Sequence, residues 1–207
     1  TEPQEAIRLV LRSAELGSAE AQWRAGQVYS GRIFIPLSGV NHDREIALQW
    51  FTLAAAQGHS PSLEALADLH TEPDDPSRYS EGAELYLRAA DAEGGAWSAL
   101  RLGMMHAIGE GVVEDQTAAR EWLSRLGREY EINSSLFSEN DLEFLGGLQD
   151  YYGLDFIGGV DSPSDPAAAA EAFRVVLDSS LDGALYRPLI HPSFARTAQA
   201  LLQVLQN

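Results

Sequence analysis

Apolar and small residues recur three and four positions apart through Ala19–Tyr29, Ala47–Ala56, Ala83–Ala92, Ala99–Ala107, Ala119–Leu126 and Ala169–Leu177. A helix turns once every ~3.6 residues, so this spacing gathers them on one stripe and predicts amphipathic helix in each stretch. Strand-like alternation is missing almost everywhere. Gly and Pro cluster between the stretches, at Pro73–Pro76, Gly94–Gly95, Gly109–Gly111 and Gly158–Pro166, where helices should stop. Near the end, Phe194, Ala195, Ala198, Leu201, Leu202 and Leu205 outline a further amphipathic helix after Pro188 and Pro192.

The helices recur at a fixed distance. Ala47, Trp50 and Gly58 form one set and Ala83, Tyr86 and Gly94 the next, with Ala119 and Trp122 following, so Ala47, Ala83 and Ala119 stand at steps of 36 residues. Outer members at Ala6 and Ala169 lie 41 and 50 residues away, which implies insertions. A period of this size built from two helices predicts an all-α solenoid of about four helix-turn-helix repeats. One helix pair cannot hide its own apolar stripe, and the next pair covers it. In this reading small residues such as Ala47 and Gly103 let backbones approach, and Trp50 or Trp122 fills the space opposite.

The stretch Ala99-Leu-Arg-Leu-Gly-Met-Met-His-Ala-Ile-Gly-Glu-Gly-Val112, followed by Asp115, Ala119 and Trp122, closely resembles the Sel-one-like repeat, a relative of the tetratricopeptide repeat. Gly26, Tyr29, Gly39-Val40, Asp43, Ala47, Trp50 and the run Ala54-Ala-Ala-Gln-Gly-His59 match a second unit. The resemblance implies a right-handed superhelix whose first helices line the concave face, and an interaction scaffold, commonly bacterial, without catalytic apparatus. It divides a single solenoid, residues 1–207, into a half repeat at 1–17, repeats at 18–59, 60–95, 96–131 and 140–181, and a C-terminal cap at 182–207. Residues 1–17 read as a second helix lacking its partner, so a further helix is expected upstream. The last helix is expected to cover the final repeat.

Leu102-Gly103 anchors the register, and tetratricopeptide-like geometry then points neighbouring positions away from the helix–helix seam. That selects Glu20, Trp23 and Gln27 in the first repeat, Glu64 and Asp68 in the second, and Trp97, Leu100 and Met104 in the third, with Glu143 and Asp150 extending the row if the fourth repeat keeps register. Acidic groups beside aromatic residues suit a partner carrying Arg or Lys next to apolar anchors. The alternative is that Trp23 and Trp97 pack against adjacent repeats. A row open to partners also requires that the chain's own tail not lie along it. The inserted segments are a second candidate: Ile33, Phe34, Ile35 and Leu37 concentrate apolar side chains in one, and Leu136 and Phe137 sit in another.

Composition narrows the partners. The 207 residues carry 31 acidic against 14 basic side chains, a formal charge of −17, and all the basic ones are arginine. Such a surface repels phosphate backbones and anionic lipid, so nucleic acid and membrane insertion are not expected, whereas a basic protein surface is. Cysteine and lysine are both absent, which removes thiol chemistry, Schiff-base lysines and P-loops. The histidines lack metal-ligand spacing, with His106 standing where the resemblance has Tyr and His42, His70 and His191 isolated in turns, and no nucleophile elbow occurs. Neither a metal, a cofactor nor enzymatic activity is therefore expected. The first reading is a protein–protein scaffold using its concave face and inserted loops. Its rivals are an immunity protein neutralising a secreted bacterial toxin and a cell-envelope assembly factor. The bacterial periplasm or envelope is favoured over the cytoplasm.

Overall fold

The computed structural model describes residues 2–31, 41–72, 75–91, 95–129, 139–152, 154, 165–181 and 192–206. Among them the regular elements are helical: α1 (Glu2–Glu15), α2 (Ala19–Ser30), α3 (Arg44–Ala55), α4 (Ser60–His70), α5 (Tyr79–Ala90), α6 (Ala96–Ile108), α7 (Gln116–Glu129), α8 (Glu139–Tyr152), α9 (Pro166–Leu181) and α10 (Pro192–Leu205). A 3₁₀ turn, Pro76–Arg78, leads into α5. Ile33, Phe34, Ile35, Leu37, Leu136 and Phe137 lie outside the described residues.

Caps start the second helix of three pairs in the same way. Asp43 accepts a hydrogen bond from the Ile46 amide at 3.0 Å, Asp115 from Thr117 and Ala118 at 2.8 and 3.0 Å, and Asp165 from Ala167 and Ala168 at 2.9 and 3.3 Å. A carboxylate there satisfies amides that have no partner inside the helix. Four residues after each cap stands a fully buried alanine: Ala47, Ala119 and Ala169. The pair α4–α5 departs from this scheme, because α5 is entered through the 3₁₀ turn.

Each helix from α1 to α6 packs on its immediate successor, as do α8 on α9 and α9 on α10. The apolar side chains form a succession of clusters along that order: Ala14, Ala21 and Ala25; then Phe51, Leu63 and Leu66; then Tyr86, Leu102 and Met105; and last a larger one spanning α6 to α10. This is the stack that the repeat period requires, an all-α solenoid with each pair closing its neighbour.

Close approach within a pair corrects which residue fills the seam. A Cβ at Gly26 would stand 2.5 Å from Phe51 Cδ1, one at Gly103 2.7 Å from Leu123 Cγ, and one at Gly147 2.8 Å from Phe173 Cε1. Phe51, Leu123 and Phe173 are completely buried, four residues after the cap-linked alanines. Trp50 and Trp122, three residues after, are only partly buried and lie against the clusters around Ala25 and Met105. A fourth position faces the partner helix more squarely than a third when the first helix offers only a hydrogen there.

Two registers also shift along the stack, the first of them away from the Ala83 step read from the sequence. In α4–α5 the small residue at the crossing is Gly82, whose Cβ would stand 2.5 Å from Thr71 Cγ2, and the large one is Tyr86. That pair is therefore one residue out of step with Ala47 and Phe51. In α8 the residue equivalent to Gly103 is Gly147, whereas Gly146 faces open space.

Candidate interaction surface

With Gly26, Ala67, Gly103 and Gly147 as equivalent crossing points, the row of outward positions on the first helices is Trp23 and Gln27, Glu64 and Asp68, Leu100 and Met104, Phe144 and Leu148. Its character changes from polar to apolar along the chain. The two halves meet different fates.

At the polar end Glu20 remains open, with 53% of its side chain exposed, and its carboxylate lies 2.6 Å from Arg24 Nη2 and 3.3 Å from His59 Nε2. Trp23 is half-buried. Its ring is 5.7 Å from the His59 ring, and the Arg24 guanidinium sits 5.5 Å from its centre. Gln27 is half-buried on the same helix.

Glu64 and Asp68 are spent between repeats. Ser98 on α6 donates to Glu64 Oε1 at 2.8 Å. Burial pushes the Glu64 carboxyl above the usual carboxylate range, with Asp68 nearby adding to the effect and the Ser98 bond opposing it. Asp68 Oδ1 accepts from Tyr86 Oη at 2.5 Å and from Trp97 Nε1 at 3.1 Å.

Behind Asp68 lies a residue that the sequence reading passed over. Arg101 is completely buried; its Nε donates to Tyr86 Oη at 3.0 Å and its Nη2 to Thr71 Oγ1 at 3.2 Å. Burial opposes the Arg101 charge, but the Tyr86 oxygen and the carboxylates of Asp68 and Glu110 outweigh it, so its pKa is raised. Burial and the Asp68 carboxylate likewise push the Tyr86 phenol up, so it stays a donor. A signal was available: Arg101 sits among Trp97, Ser98, Met104 and Met105, with no acidic residue one turn away on α6. A charge stranded in an apolar helix must find its partner on another element.

The apolar half of the row is covered. Leu100 and Met104, expected to face a partner, are 2% and 1% exposed and share a core cluster with Phe144, Leu148, Phe194, Ala198 and Leu201. The cover is α10, which packs on α9 and reaches past it to α8 and α6. Phe194 stacks on Phe144 with ring centres 4.5 Å apart and lies 5.8 Å from Trp97. The C-terminal helix thus does more than close the last pair: it lies along the first-helix row itself. Its sequence explains this. Phe194, Ala198 and Leu201 stand four and three apart on one stripe, and full burial of a Phe or Leu stabilises by about 1.5–3 kcal/mol each.

One ion pair fixes the position of α10. Arg196 Nε donates to Glu110 Oε1 at 2.7 Å, with the Arg196 guanidinium 5.7 Å from the Tyr79 ring centre. Glu110 belongs to the Gly109-Glu-Gly111 turn, which is seated on α5: Gly111 has φ +72°, and a Cβ on it would stand 2.5 Å from the Tyr79 carbonyl carbon. Only glycine combines that conformation with that approach.

His70, read from sequence as isolated in a turn, is instead buried at the end of α4, its Nδ1 3.0 Å from Glu81 and its Nε2 3.1 Å from Arg78 Nη2. Burial, then the Arg78 charge, hold its pKa below the usual imidazole value. His106 lies half-buried on α6, its Nδ1 3.2 Å from the Val113 carbonyl. Among the described residues no cluster of histidines and carboxylates has the geometry to hold a metal ion, and no helix is long and apolar enough to cross a membrane.

Comparison with known proteins agrees with this architecture. The Sel1 repeat model matches residues 2–18, 19–59, 62–93 and 98–129, more than half of the chain. No curated protein matches the sequence. Among solved structures, a protective antigen of uropathogenic Escherichia coli displaying an SLR fold superposes with a TM-score of 0.59 at 21% identity. That alignment covers 98% of this chain and 41% of the antigen, so this chain spans less than half the antigen's length. A Sel1 repeat protein from Oxalobacter formigenes superposes with a TM-score of 0.57 at 19% identity, covering 98% of this chain and 76% of that one. The fourth helix pair and α10 fall outside the family match and share the last apolar cluster with α6 and α7. Sel1 repeats are in general scaffolds for protein–protein interaction and typically non-catalytic, and this chain belongs to the Sel1 repeat family.

Proposed function

We propose that the protein is a scaffold that binds a partner protein at the polar end of its first-helix row, through Glu20, Trp23 and Gln27. The observation that carries this reading is Trp23, a large aromatic side chain left partly exposed beside His59 and Arg24, with an exposed carboxylate, ion-paired to Arg24, one turn away at Glu20. Aromatic anchors ringed by charge are where interface energy concentrates. The preformed helix stack loses little ordering entropy on binding. The formal charge of −17 favours a partner with arginine or lysine beside its apolar contact and speeds its approach. Glu64 and Asp68 contribute to this surface only indirectly, because their carboxylates already bond Ser98, Tyr86 and Trp97. The inserted segments holding Ile33, Phe34, Ile35 and Leu37, and Leu136 and Phe137, are proposed as secondary contacts.

A displayed random-peptide library selected on the full chain tests this. Selected ligands should be rich in arginine or lysine beside an aromatic or leucine. Their affinity should fall about tenfold or more for a Glu20→Arg/Trp23→Ala variant whose circular dichroism is unchanged. Affinity should also weaken as salt rises from low to physiological concentration. Ligands that lack basic residues, or that bind the double variant as well as the wild type, would defeat the proposal.

A further inference from the structure

The other half of the row already holds a ligand of a kind. We propose that α6, α8 and α9 form a helix-docking groove for a partner helix, and that α10 is its built-in occupant, displaced when the partner binds. The partner helix is defined by what α10 presents: an aromatic residue, arginine two positions later, a small residue four later and leucine seven later. The inference extends the scaffold reading to a separate surface with its own chemistry.

Three observations carry it. First, α10 packs out of sequence order, on α6 as well as on α9, and covers the positions that are polar in the earlier repeats and apolar here. Those apolar positions, Leu100, Met104 and Phe144, share one buried cluster with Phe194, Ala198 and Leu201. Second, the groove contains a cation site independent of the apolar contact. Glu110, with 9% of its side chain exposed, meets Arg196 at 2.7 Å beside the Tyr79 ring. A nearly buried carboxylate next to an aromatic face selects a guanidinium.

Third, α10 fits this groove imperfectly. The two terminal nitrogens of Arg196 are buried without a hydrogen-bond acceptor. Thr197 is completely buried on the docked face, and its hydroxyl turns back to the Ser193 carbonyl at 2.9 Å. Buried donors left unpaired, and polar groups where apolar ones would pack, weaken the hold of α10 without removing its specificity. A helix that keeps the aromatic, arginine and leucine but offers an apolar side chain in place of Thr197 outcompetes it. An acidic chain thereby selects a partner helix carrying positive charge at one defined place.

The test uses the full chain and a fluorescent peptide with the sequence of residues 192–206. The peptide should bind a Phe194→Ala chain about tenfold more tightly than the wild type, because the resident helix is loosened. Replacing the peptide's arginine by alanine, or adding Glu110→Gln to the chain, should remove most of that gain. Equal binding to both chains, or no binding to a Phe194→Ala chain that keeps its helical circular dichroism, overturns the proposal. Hydrogen exchange on the unmodified chain covers the case in which that variant does not fold. Amides of α10 should exchange about a hundredfold faster than those of α8 and α9. Equal protection overturns displacement, and so does a concentration-dependent dimer that swaps α10 between copies. None of these variants touches Glu20 or Trp23, so failure here leaves the polar-end reading standing and failure there leaves this one.

Discussion

Gly146 and Gly147 are neighbours on α8, yet the packing assigns them opposite roles. A Cβ at Gly147 would stand 2.8 Å from Phe173 Cε1, 3.1 Å from Phe173 Cδ1 and 3.0 Å from Ala172 Cβ; at Gly146 it would meet no heavy atom within 4 Å. Carbon atoms pack at about 3.5–4.0 Å, so Gly147→Ala demands that α8 and α9 separate by roughly half an ångström to one ångström. Phe173 has little room to turn aside, because it is fully buried with the Phe144 ring 6.1 Å away and the Tyr151 ring 6.4 Å away. Overpacking of this kind costs about 1–3 kcal/mol, while exchanging a helical glycine for alanine returns about 0.5–1 kcal/mol. Gly147→Ala should therefore destabilise by roughly 1–2 kcal/mol, and Gly146→Ala should stabilise by about 0.5–1 kcal/mol. Urea titration followed by circular dichroism reads both as shifts of the midpoint at unchanged slope. A raised midpoint for Gly147→Ala, or equal shifts for the two variants, would mean that Gly146 faces α9. The assignment of Phe144 and Leu148 to the interaction row would then be wrong.

Other perturbations follow from the buried polar groups. Arg101→Met removes the guanidinium that bonds Tyr86 and Thr71 and should destabilise by about 2–3 kcal/mol, since the half-buried Asp68 loses its nearby countercharge; a neutral effect in thermal unfolding would refute this. Glu64→Gln keeps an acceptor for Ser98 and removes a carboxylate whose ionisation burial opposes. It should raise the melting temperature at pH 7, and the gain should vanish as the pH falls through the raised Glu64 value, where the wild-type group is already neutral. His70 works in the other direction. Its pKa is held down in the folded chain by burial and Arg78, so the unfolded chain takes up the proton first and stability should fall as pH drops below about 6.5. His70→Gln should flatten that fall, and an unchanged pH profile would count against it.

The sequence carried the fold because repetition multiplies a weak signal. One helical stripe is ambiguous, but Ala47 and Ala119 at a whole number of periods, each four residues after an aspartate, predict the same helix start twice. The register within a pair was less legible. Ala83 keeps the 36-residue step, yet Gly82 takes the crossing, because α5 is entered through a 3₁₀ turn that shifts its face by one residue. Similarly, Trp50 looked like the seam filler from size alone, whereas Phe51 holds that place because it points at Gly26. The candidate row was drawn along the first helices, and Leu100 and Met104 could not be seen as core without knowing where α10 lies.

By itself, then, the chain determined its helices, its repeat and its acidic surface, since all three depend on residues close in sequence or on simple sums over them. Tertiary structure alone decided which row positions stay open. Arg196 and Glu110 are 86 residues apart, and Trp97 and Phe194 belong to helices separated by three others. Nothing local distinguishes an apolar stripe that caps the last repeat from one that folds back along the row. The choice rests on the match between the α10 stripe and the apolar half of the row, and on one carboxylate placed to receive its arginine.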